Sequence, residues 1–222
     1  MEKFKNIQAH NISHTLIKGC EMIDNPYSHI LEFGAASGNT LVQIVDSVHL
    51  NKYEIFGFDS WLGLPEDWTI PGEPPWHTKG VFSSNGVIPD QITNLGDKVK
   101  IFQGMFEDTI PEYLKIAQDI ALLHIDCDLY SSTKTVLYGL KDYIKTGTYI
   151  VFDEWIYNEE ALRQSIRQPG FKVPERYRMH EQKAFFEWVK DFNVKFRLYV
   201  SGYGWKGLEI GKQLVKILDI SN

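Results

Sequence analysis

An alternation of short apolar segments with segments of helical periodicity is the feature that most constrains the fold. The apolar segments are predicted strands at 29–34, 53–59, 98–104, 120–126 and 147–154. The helical patterns lie at 7–24, 38–50, 89–96, 110–118, 131–144 and 179–192. Strands that alternate with helices form a parallel sheet with helices on both faces. A hairpin with strands at about 194–201 and 205–211, joined at "GYG", is predicted to complete the sheet.

The sequence therefore predicts an α/β fold. We expect a Rossmann-like, doubly wound, seven-stranded, mostly parallel sheet with a C-terminal antiparallel hairpin strand. A chain of 222 residues with 43% hydrophobic residues suits a single domain over residues 1–222.

The composition also limits the class of protein. A formal net charge of -6 makes nucleic acid a poor partner. No apolar run approaches the roughly 18 residues of a membrane span, so no membrane partner is expected. Cys20 and Cys127 lack metal-type spacing and the N-terminal segment is polar, which favours a cytoplasmic protein. The expected partner is a small molecule, and a homo-oligomer stays open.

The ends of the first two predicted strands indicate a particular ligand. Ligands of such sheets bind beyond the carboxyl ends of the strands. Gly34 and Gly38 are separated by three residues, unlike the G-x-G-x-x-G of dinucleotide sites. Glu32 would repel pyrophosphate but suits an ammonium group, and Asp59 lies where a ribose-binding acid is expected. Taken alone, the glycines equally indicate a strand-to-helix turn and Asp59 a cap. Together they favour S-adenosylmethionine, which has a ribose and an ammonium group but no phosphate.

Five segments resemble class I S-adenosylmethionine-dependent methyltransferases, and within that group the macrocin O-methyltransferase-like family. They are "LEFGAASGNTL", "GFDSWLGLPEDW", "GMFEDTIPEYL", "LLHIDCDLYSSTKT" and "VFDEW", over about 29–155, and "DLYSSTKT" is the most specific. The "GAASG" loop is smaller than the family's usual one. The resemblance implies an enzyme that methylates a hydroxyl of a sugar, a nucleotide sugar or another small natural-product-like acceptor.

The resemblance also implies a set of cofactor-binding residues in addition to Glu32. At the methionine end these are Gly34, Ser37, Gly38 and Thr40, with Asp126 beside them. At the ribose and adenine they are Asp59, Ser60, Trp61, Gly104 and Met105.

Carboxylates end the fourth and fifth predicted strands. Asp126 follows one strand, and Asp153 with Glu154 ends the other. In the class I order these strands are neighbours about 4.8 Å apart, so the carboxylates are expected to converge. Oxygen ligands without His or Cys favour Mg²⁺, Mn²⁺ or Ca²⁺. Asp128 is either a further ligand or the cap of the helix that starts at Ser131.

Transfer to a hydroxyl also needs a group that accepts its proton. Related catechol methyltransferases carry a lysine three residues after the strand-end aspartate, and this chain has Leu129 there. The candidates are Asp126, then Glu154, then His180 from the C-terminal helix. His124 is more typical of a buried structural histidine than of a catalytic one.

Two segments are predicted to surround the acceptor. Residues 60–86 form a long aromatic loop, a candidate lid, and 156–192 a candidate acceptor-side insertion and helix. The aromatic residues of the loop either stack on the acceptor or fix the loop to the core; they are Trp61, Trp68, Trp76 and Phe82. Basic residues within 163–183 suit an anionic acceptor or a solvated surface.

Two other functions stay open. A metal-dependent glycosyltransferase also ends a strand in a D-x-D motif, which "DCD" matches. It gives no role to the glycine loop with Glu32, nor to the second acidic pair. A non-catalytic S-adenosylmethionine-binding domain is the other alternative.

Overall fold

The computed structural model describes residues 14–69, 74–156, 178–203 and 211–220. Its helices are α1 His14–Glu21, α2 Asn39–Ser47, α3 Asp90–Thr93, α4 Phe106–Leu114, α5 Tyr130–Gly139 and α6 His180–Asp191, with a 3₁₀ turn at Gly96–Lys98. Its strands are β1 His29–Phe33, β2 Glu54–Asp59, β3 Val99–Gln103, β4 Ile120–Ile125, β5 Tyr149–Ile156, β6 Lys195–Tyr203 and β7 Gly211–Asp219.

The seven strands form one sheet in the order β3-β2-β1-β4-β5-β7-β6. The first five run parallel, and β7 lies antiparallel between β5 and β6. The predicted fold class is therefore confirmed. Strand order reverses between β1 and β4, which is where such sheets bind ligands.

Helices cover both faces of the sheet because its central strands are apolar on both sides. All five residues of β1 are buried. Leu31 and Phe33 pack with α4, α5 and α6, whereas Ile30 packs with α1 and α2 on the other face. Strands buried on both faces have nearly continuous apolar sequences, which is why they were readable from the sequence.

The strand register aligns the carboxyl ends of β2, β1, β4 and β5. Phe33 pairs with Phe58 of β2 and with Ile125 of β4, and Ile125 pairs with Phe152 of β5. The residues that follow these positions therefore meet at one edge of the sheet.

The predicted position of the hairpin's second strand is wrong. The observed strand is Gly211–Asp219, whereas most of 205–211 lies outside the described residues, as does the part of the predicted first helix before residue 14. β7 has β5 on one side and β6 on the other, and Leu214 and Val215 are both fully buried. Its sequence therefore lacks the alternation that marks a hairpin strand with one wet face.

Within the described ranges, no helix is both long and apolar enough to cross a membrane.

Candidate active site

A cavity of about 630 Å³ lies beyond the carboxyl ends of the parallel strands. The loops after β1, β2, β3 and β4 line it, together with one acid of β5. Eight of the predicted site residues contribute to the lining, namely Gly34, Asp59, Ser60, Gly104, Met105, Asp126, Asp128 and Glu154. The cavity thus joins the predicted cofactor end to the strand-end carboxylates.

Gly34 allows the ends of β1 and β4 to approach closely. The Gly34 N–H donates to the Phe58 carbonyl at 2.9 Å, and the Asp126 N–H donates to the Phe33 carbonyl at 2.9 Å. Gly34 has a φ of 94°, and an added Cβ would lie 1.8 Å from the Asp126 carbonyl oxygen. Only glycine fits this position.

Asp59 fixes the two loops that border the cofactor end. Its Oδ2 accepts the Ala36 N–H at 2.8 Å, and its Oδ1 accepts the Trp61 N–H at 2.7 Å. The Trp61 indole donates to the Ala36 carbonyl at 2.8 Å, and only 2% of the residue is exposed. Trp61 therefore fixes its loop to the core and does not line the cavity.

Glu32 lies outside the cavity. It is fully buried, and its Oε1 is 2.8 Å from Nδ1 of His124, which is also fully buried. The structure thus directs this carboxylate at a neighbouring strand rather than at the cavity.

The other three predicted cofactor residues also lie outside the cavity lining. Ser37, Gly38 and Thr40 belong to the turn into α2 and its first residues. A Cβ on Gly38 would lie 2.4 Å from Ile92 Cγ1, so this glycine allows α3 to pack against the turn.

Three carboxylates converge at the floor of the cavity. Oxygens of Asp126, Asp128 and Glu154 lie within 4.8 Å of one another. Glu154 is buried, and its Oε2 has no hydrogen-bond partner among the described residues. Burial raises the pKa of Asp126 to about 6 and that of Asp128 to about 7, and it raises the pKa of Glu154 well above its usual range. Three acids at this spacing suit a hard cation with oxygen ligands.

Asp153, the fourth predicted metal ligand, belongs to a second group that shares Asp126 with the first. Adjacent residues of a strand point to opposite faces, so Asp153 and Glu154 diverge. Asp153 lies with His124 and Asp126, and its Oδ1 is 3.5 Å from His124 Nε2. It also forms an ion pair with Lys212 of β7.

Sequence reasoning missed two charged residues of this site. Glu181 of α6 is fully buried; its Oε2 accepts the Glu154 N–H at 3.0 Å and its Oε1 accepts the Cys127 N–H at 3.4 Å. Lys212 of β7 places an ammonium group beside Asp153. An acid in the first turn of a Phe- and Trp-rich helix was a signal for Glu181, but the misplaced strand left none for Lys212.

His180, the third candidate base, does not line the cavity. Its Nε2 is 2.8 Å from the Thr69 carbonyl, which can only accept, so this nitrogen carries the hydrogen. Burial lowers the pKa of His180.

The loop at 60–86 forms one wall of the cavity, and its residues 70–73 lie outside the described ranges. Trp68 and His77 pair as an antiparallel bridge, and both line the cavity. Phe82 lines it too, with 56% of the residue exposed and its ring against His77. Trp76 packs against Trp68 behind this wall.

Structural comparison supports the assignment of the fold. CalS11, a calicheamicin methyltransferase, shares 20% identity at a TM-score of 0.60, over 92% of this chain and 76% of that one. The O-methyltransferase NovP shares 18% identity at a TM-score of 0.61, over 92% and 78%. An O-methyltransferase from Bacillus cereus, solved with SAH, shares 11% at a TM-score of 0.55, over 96% and 84%.

A search among curated proteins finds no significant match. Residues 29–168, more than half of the chain, match the family of Macrocin-O-methyltransferase (TylF). This range contains every segment that carried the resemblance as well as the cavity-lining loops. The chain therefore belongs to the macrocin O-methyltransferase family and is an S-adenosylmethionine-dependent methyltransferase.

Proposed function

We propose that this protein is a divalent-cation-dependent O-methyltransferase acting on a hydroxyl of a sugar, a nucleotide sugar or another small natural-product-like acceptor. One observation carries the proposal: a single cavity joins Asp59 and the glycine loop to three converging carboxylates. A sugar acceptor is supported by the similarity to CalS11, a TDP-rhamnose 3'-O-methyltransferase of calicheamicin biosynthesis.

The cofactor end of the cavity suits an adenosine group. S-adenosylmethionine supplies a methyl group on a sulfonium when it is bound. Each oxygen of Asp59 already accepts one backbone N–H and keeps a second lone pair for a ribose hydroxyl. Gly104 and Met105 line the same end, where we propose that the adenine lies.

The acidic end of the cavity fits Mg²⁺ or Mn²⁺, because Asp126, Asp128 and Glu154 offer three oxygen donors and one of them is buried without a partner. Such a cation, when bound, stabilises a deprotonated hydroxyl. Without it, like charges and burial favour protonation of these acids, which is the direction of their pKa shifts.

We propose that a carboxylate accepts the proton of the acceptor hydroxyl. Asp126 stays the first candidate, because it lines the cavity at the acidic end where the acceptor hydroxyl would lie. Asp128 joins it, since it lines the same cavity. Glu154 is buried more deeply, and His180 ranks last because its Nε2 already donates to Thr69.

The acceptor would lie between the loop at 60–86 and the acidic floor. Trp68, His77 and Phe82 offer aromatic surface on which a sugar ring can stack. An anionic acceptor would need cations from the predicted insertion at 156–192. Residues 157–177 of that insertion, which carry most of the basic cluster, lie outside the described ranges.

Methyl transfer from labelled S-adenosylmethionine to a panel of sugars, nucleotide sugars and glycosylated small molecules tests the proposal. We expect one acceptor class to gain a methyl group in the presence of Mg²⁺ or Mn²⁺, and EDTA to stop the transfer. Binding of S-adenosylhomocysteine should persist in EDTA, because Asp59 and the glycine loop do not need the cation. Transfer that continues in EDTA would contradict the dependence on a cation but not the methyltransferase activity.

A further inference from the structure

A histidine of the loop at 60–86 brings unpaired hydrogen-bonding groups into the cavity. His77 lines the cavity, and within the described ranges neither nitrogen of its imidazole has a hydrogen-bond partner. Its backbone is fixed by the bridge to Trp68, whose N–H donates to the His77 carbonyl at 2.8 Å. A neutral imidazole has one donor and one acceptor nitrogen, so a hydroxyl of a bound molecule can pair with either.

Two aromatic rings hold this imidazole in place. The ring centroid of Trp68 lies 5.5 Å from that of His77, and the ring centroid of Phe82 lies 4.9 Å from it with the two planes at 63°. Trp68 is buried and packs with Leu64 and Leu129. The imidazole therefore contacts one ring that is anchored in the protein interior and one ring that is largely exposed.

The backbone of Phe82 is strained. Its φ is 68°, in the left-handed region that costs free energy for a residue with a Cβ, and its exposed ring gains little from burial. The adjoining turn enforces this conformation, since the Ser83 hydroxyl and the Ser84 N–H both donate to the Trp61 carbonyl. Strain of this kind is common where a ligand binds. What the position provides is the contact of Phe82 with His77 at the cavity wall.

We propose that His77 is a specificity-determining residue whose imidazole forms a hydrogen bond with an acceptor hydroxyl other than the one that is methylated, and that Phe82 holds the imidazole in position. The inference rests on the proposed function for a sugar-type acceptor, whose reacting hydroxyl lies at the acidic floor. His77 belongs to the loop wall, so it meets a different part of the acceptor. The described lining holds no lysine or arginine, which suits a hydroxyl at this wall better than a phosphate.

Initial rates with S-adenosylmethionine and Mg²⁺ test the hydrogen bond on the sugar of the panel that is methylated and on its monodeoxy analogues, each without one hydroxyl that is not methylated. His77→Phe keeps an aromatic ring but no hydrogen-bonding group. It should raise KM for the parent sugar by roughly fivefold to tenfold and leave kcat within about twofold. One deoxy analogue should show the same increase with wild type, and His77→Phe should add nothing further for that analogue. His77→Gln, whose amide donates and accepts, should recover part of the affinity.

Phe82→Asn distinguishes a role in binding from a role in stability, because asparagine tolerates left-handed backbone. The KM for the sugar should rise by roughly threefold, since the imidazole loses a neighbouring ring. The melting temperature should stay within about 2 °C of wild type or increase, because the strain is relieved. His49→Gln is the control at an exposed position outside the cavity lining, and it should change neither quantity.

Three results would overturn the inference. Equal KM values for wild type and His77→Phe would show that the imidazole does not bind the acceptor, and an increase that is the same for every deoxy analogue would show that no hydroxyl pairs with it. A loss of kcat at unchanged KM would assign His77 to the reaction itself. Failure of every sugar in the panel would contradict the sugar acceptor and this inference with it, whereas only failure to bind S-adenosylhomocysteine would contradict the methyltransferase function.

Discussion

Gly34 is the residue at which the cavity depends most directly on the absence of a side chain. The sequence predicted a glycine turn after the first strand. It did not predict that Gly34 would lie against the Asp126 carbonyl, which is the reason that a glycine is needed there. The sequence suggested room for a ligand, whereas the structure shows contact with the neighbouring strand end. The carboxylates followed from the strand pattern alone, because each comes directly after an apolar run. Their arrangement was not predictable, because it depends on which face each side chain takes and on Lys212, which forms an ion pair with Asp153 from a distant strand.

Gly34→Ala tests this contact against a matched glycine. Gly80 also has a positive φ, 85°, but an added Cβ there meets nothing within 4 Å. Both substitutions should cost about 1–2 kcal/mol for the left-handed backbone. Gly34→Ala should cost at least about 4 kcal/mol in total, because Cβ would overlap the Asp126 carbonyl. Urea unfolding measures both, and equal losses would show that the two strand ends separate easily.

His29 gives the fold a dependence on pH. Its Nδ1 is 2.8 Å from the Tyr113 hydroxyl and accepts the Gln118 N–H at 3.4 Å, so the ring is neutral. Burial lowers the pKa of His29. Its contribution to the free energy of unfolding is therefore complete above the unfolded pKa of about 6.5 and is lost as pH falls through the lower folded value.

Chemical unfolding between pH 7.5 and 5.5 tests the role of His29. The wild-type free energy of unfolding should fall more steeply than that of His29→Gln, by up to about 1.4 kcal/mol per pH unit. His49→Gln, at an exposed position, should keep the wild-type slope. Identical slopes for all three proteins would exclude His29 as the source.

At the scale of elements, α6 holds the ends of β4 and β5 in position. Glu181 in its first turn accepts backbone N–H groups from Cys127 and Glu154, so one side chain spans the two strands that carry the acids. Burial raises the pKa of Glu181 well above its usual range. The helix itself was predictable from its aromatic spacing at 179–192. This contact was not, because it depends on where the helix lies against the sheet.

Glu181→Ala should lower the free energy of unfolding by about 2–4 kcal/mol, since two buried N–H groups lose their acceptor. Glu181→Gln should be less destabilising than Glu181→Ala but still less stable than wild type, because its amide offers a single acceptor oxygen. Glu187→Ala on the same helix is the control; it removes half-exposed contacts with Tyr130 and Lys134 and should cost less than about 1 kcal/mol. Equal losses at 181 and 187 in urea unfolding would contradict the role of Glu181.

The loop at 60–86 was predicted as a lid, and the described part of it has regular backbone pairing. Leu64 donates to the Val81 carbonyl, and Trp68 donates to that of His77. We expect hydrogen exchange of these amides to slow further when S-adenosylhomocysteine and an acceptor are both bound, because the wall then excludes water from the cavity. Equal protection with and without the ligands would make the loop a static wall.

Element boundaries were less predictable than element types. α4 begins at Phe106 rather than at 110, because Glu107 and Asp108 in its first turn suit the positive end of a helix. The prediction had placed Pro111 in the first turn, where proline is most common. α5 ends at Gly139, whereas the prediction extended it to 144 because Leu140 and Ile144 continue the apolar helical spacing.

At the scale of the whole molecule, the order of the strands follows from physical rules and the position of the site follows from the order. Right-handed crossovers on both sides of β1 give the order β3-β2-β1-β4-β5, and the register then aligns Phe33, Phe58 and Ile125. This is why residues far apart in the sequence, Gly34, Asp59 and Asp126, border one cavity. The identity of the acceptor was not predictable, because it depends on irregular segments that no periodicity describes.

The central claim is that this cavity binds the methyl donor, and the most direct test is calorimetric titration with S-adenosylhomocysteine. We expect one site per chain, and we expect Asp59→Ala to weaken binding by roughly 1–3 kcal/mol because the ribose hydroxyls lose their acceptor. UDP-glucose with Mn²⁺ should give no comparable heat in the absence of S-adenosylhomocysteine. Tight binding of the UDP-sugar with Mn²⁺, together with no binding of S-adenosylhomocysteine, would contradict the account and favour a glycosyltransferase.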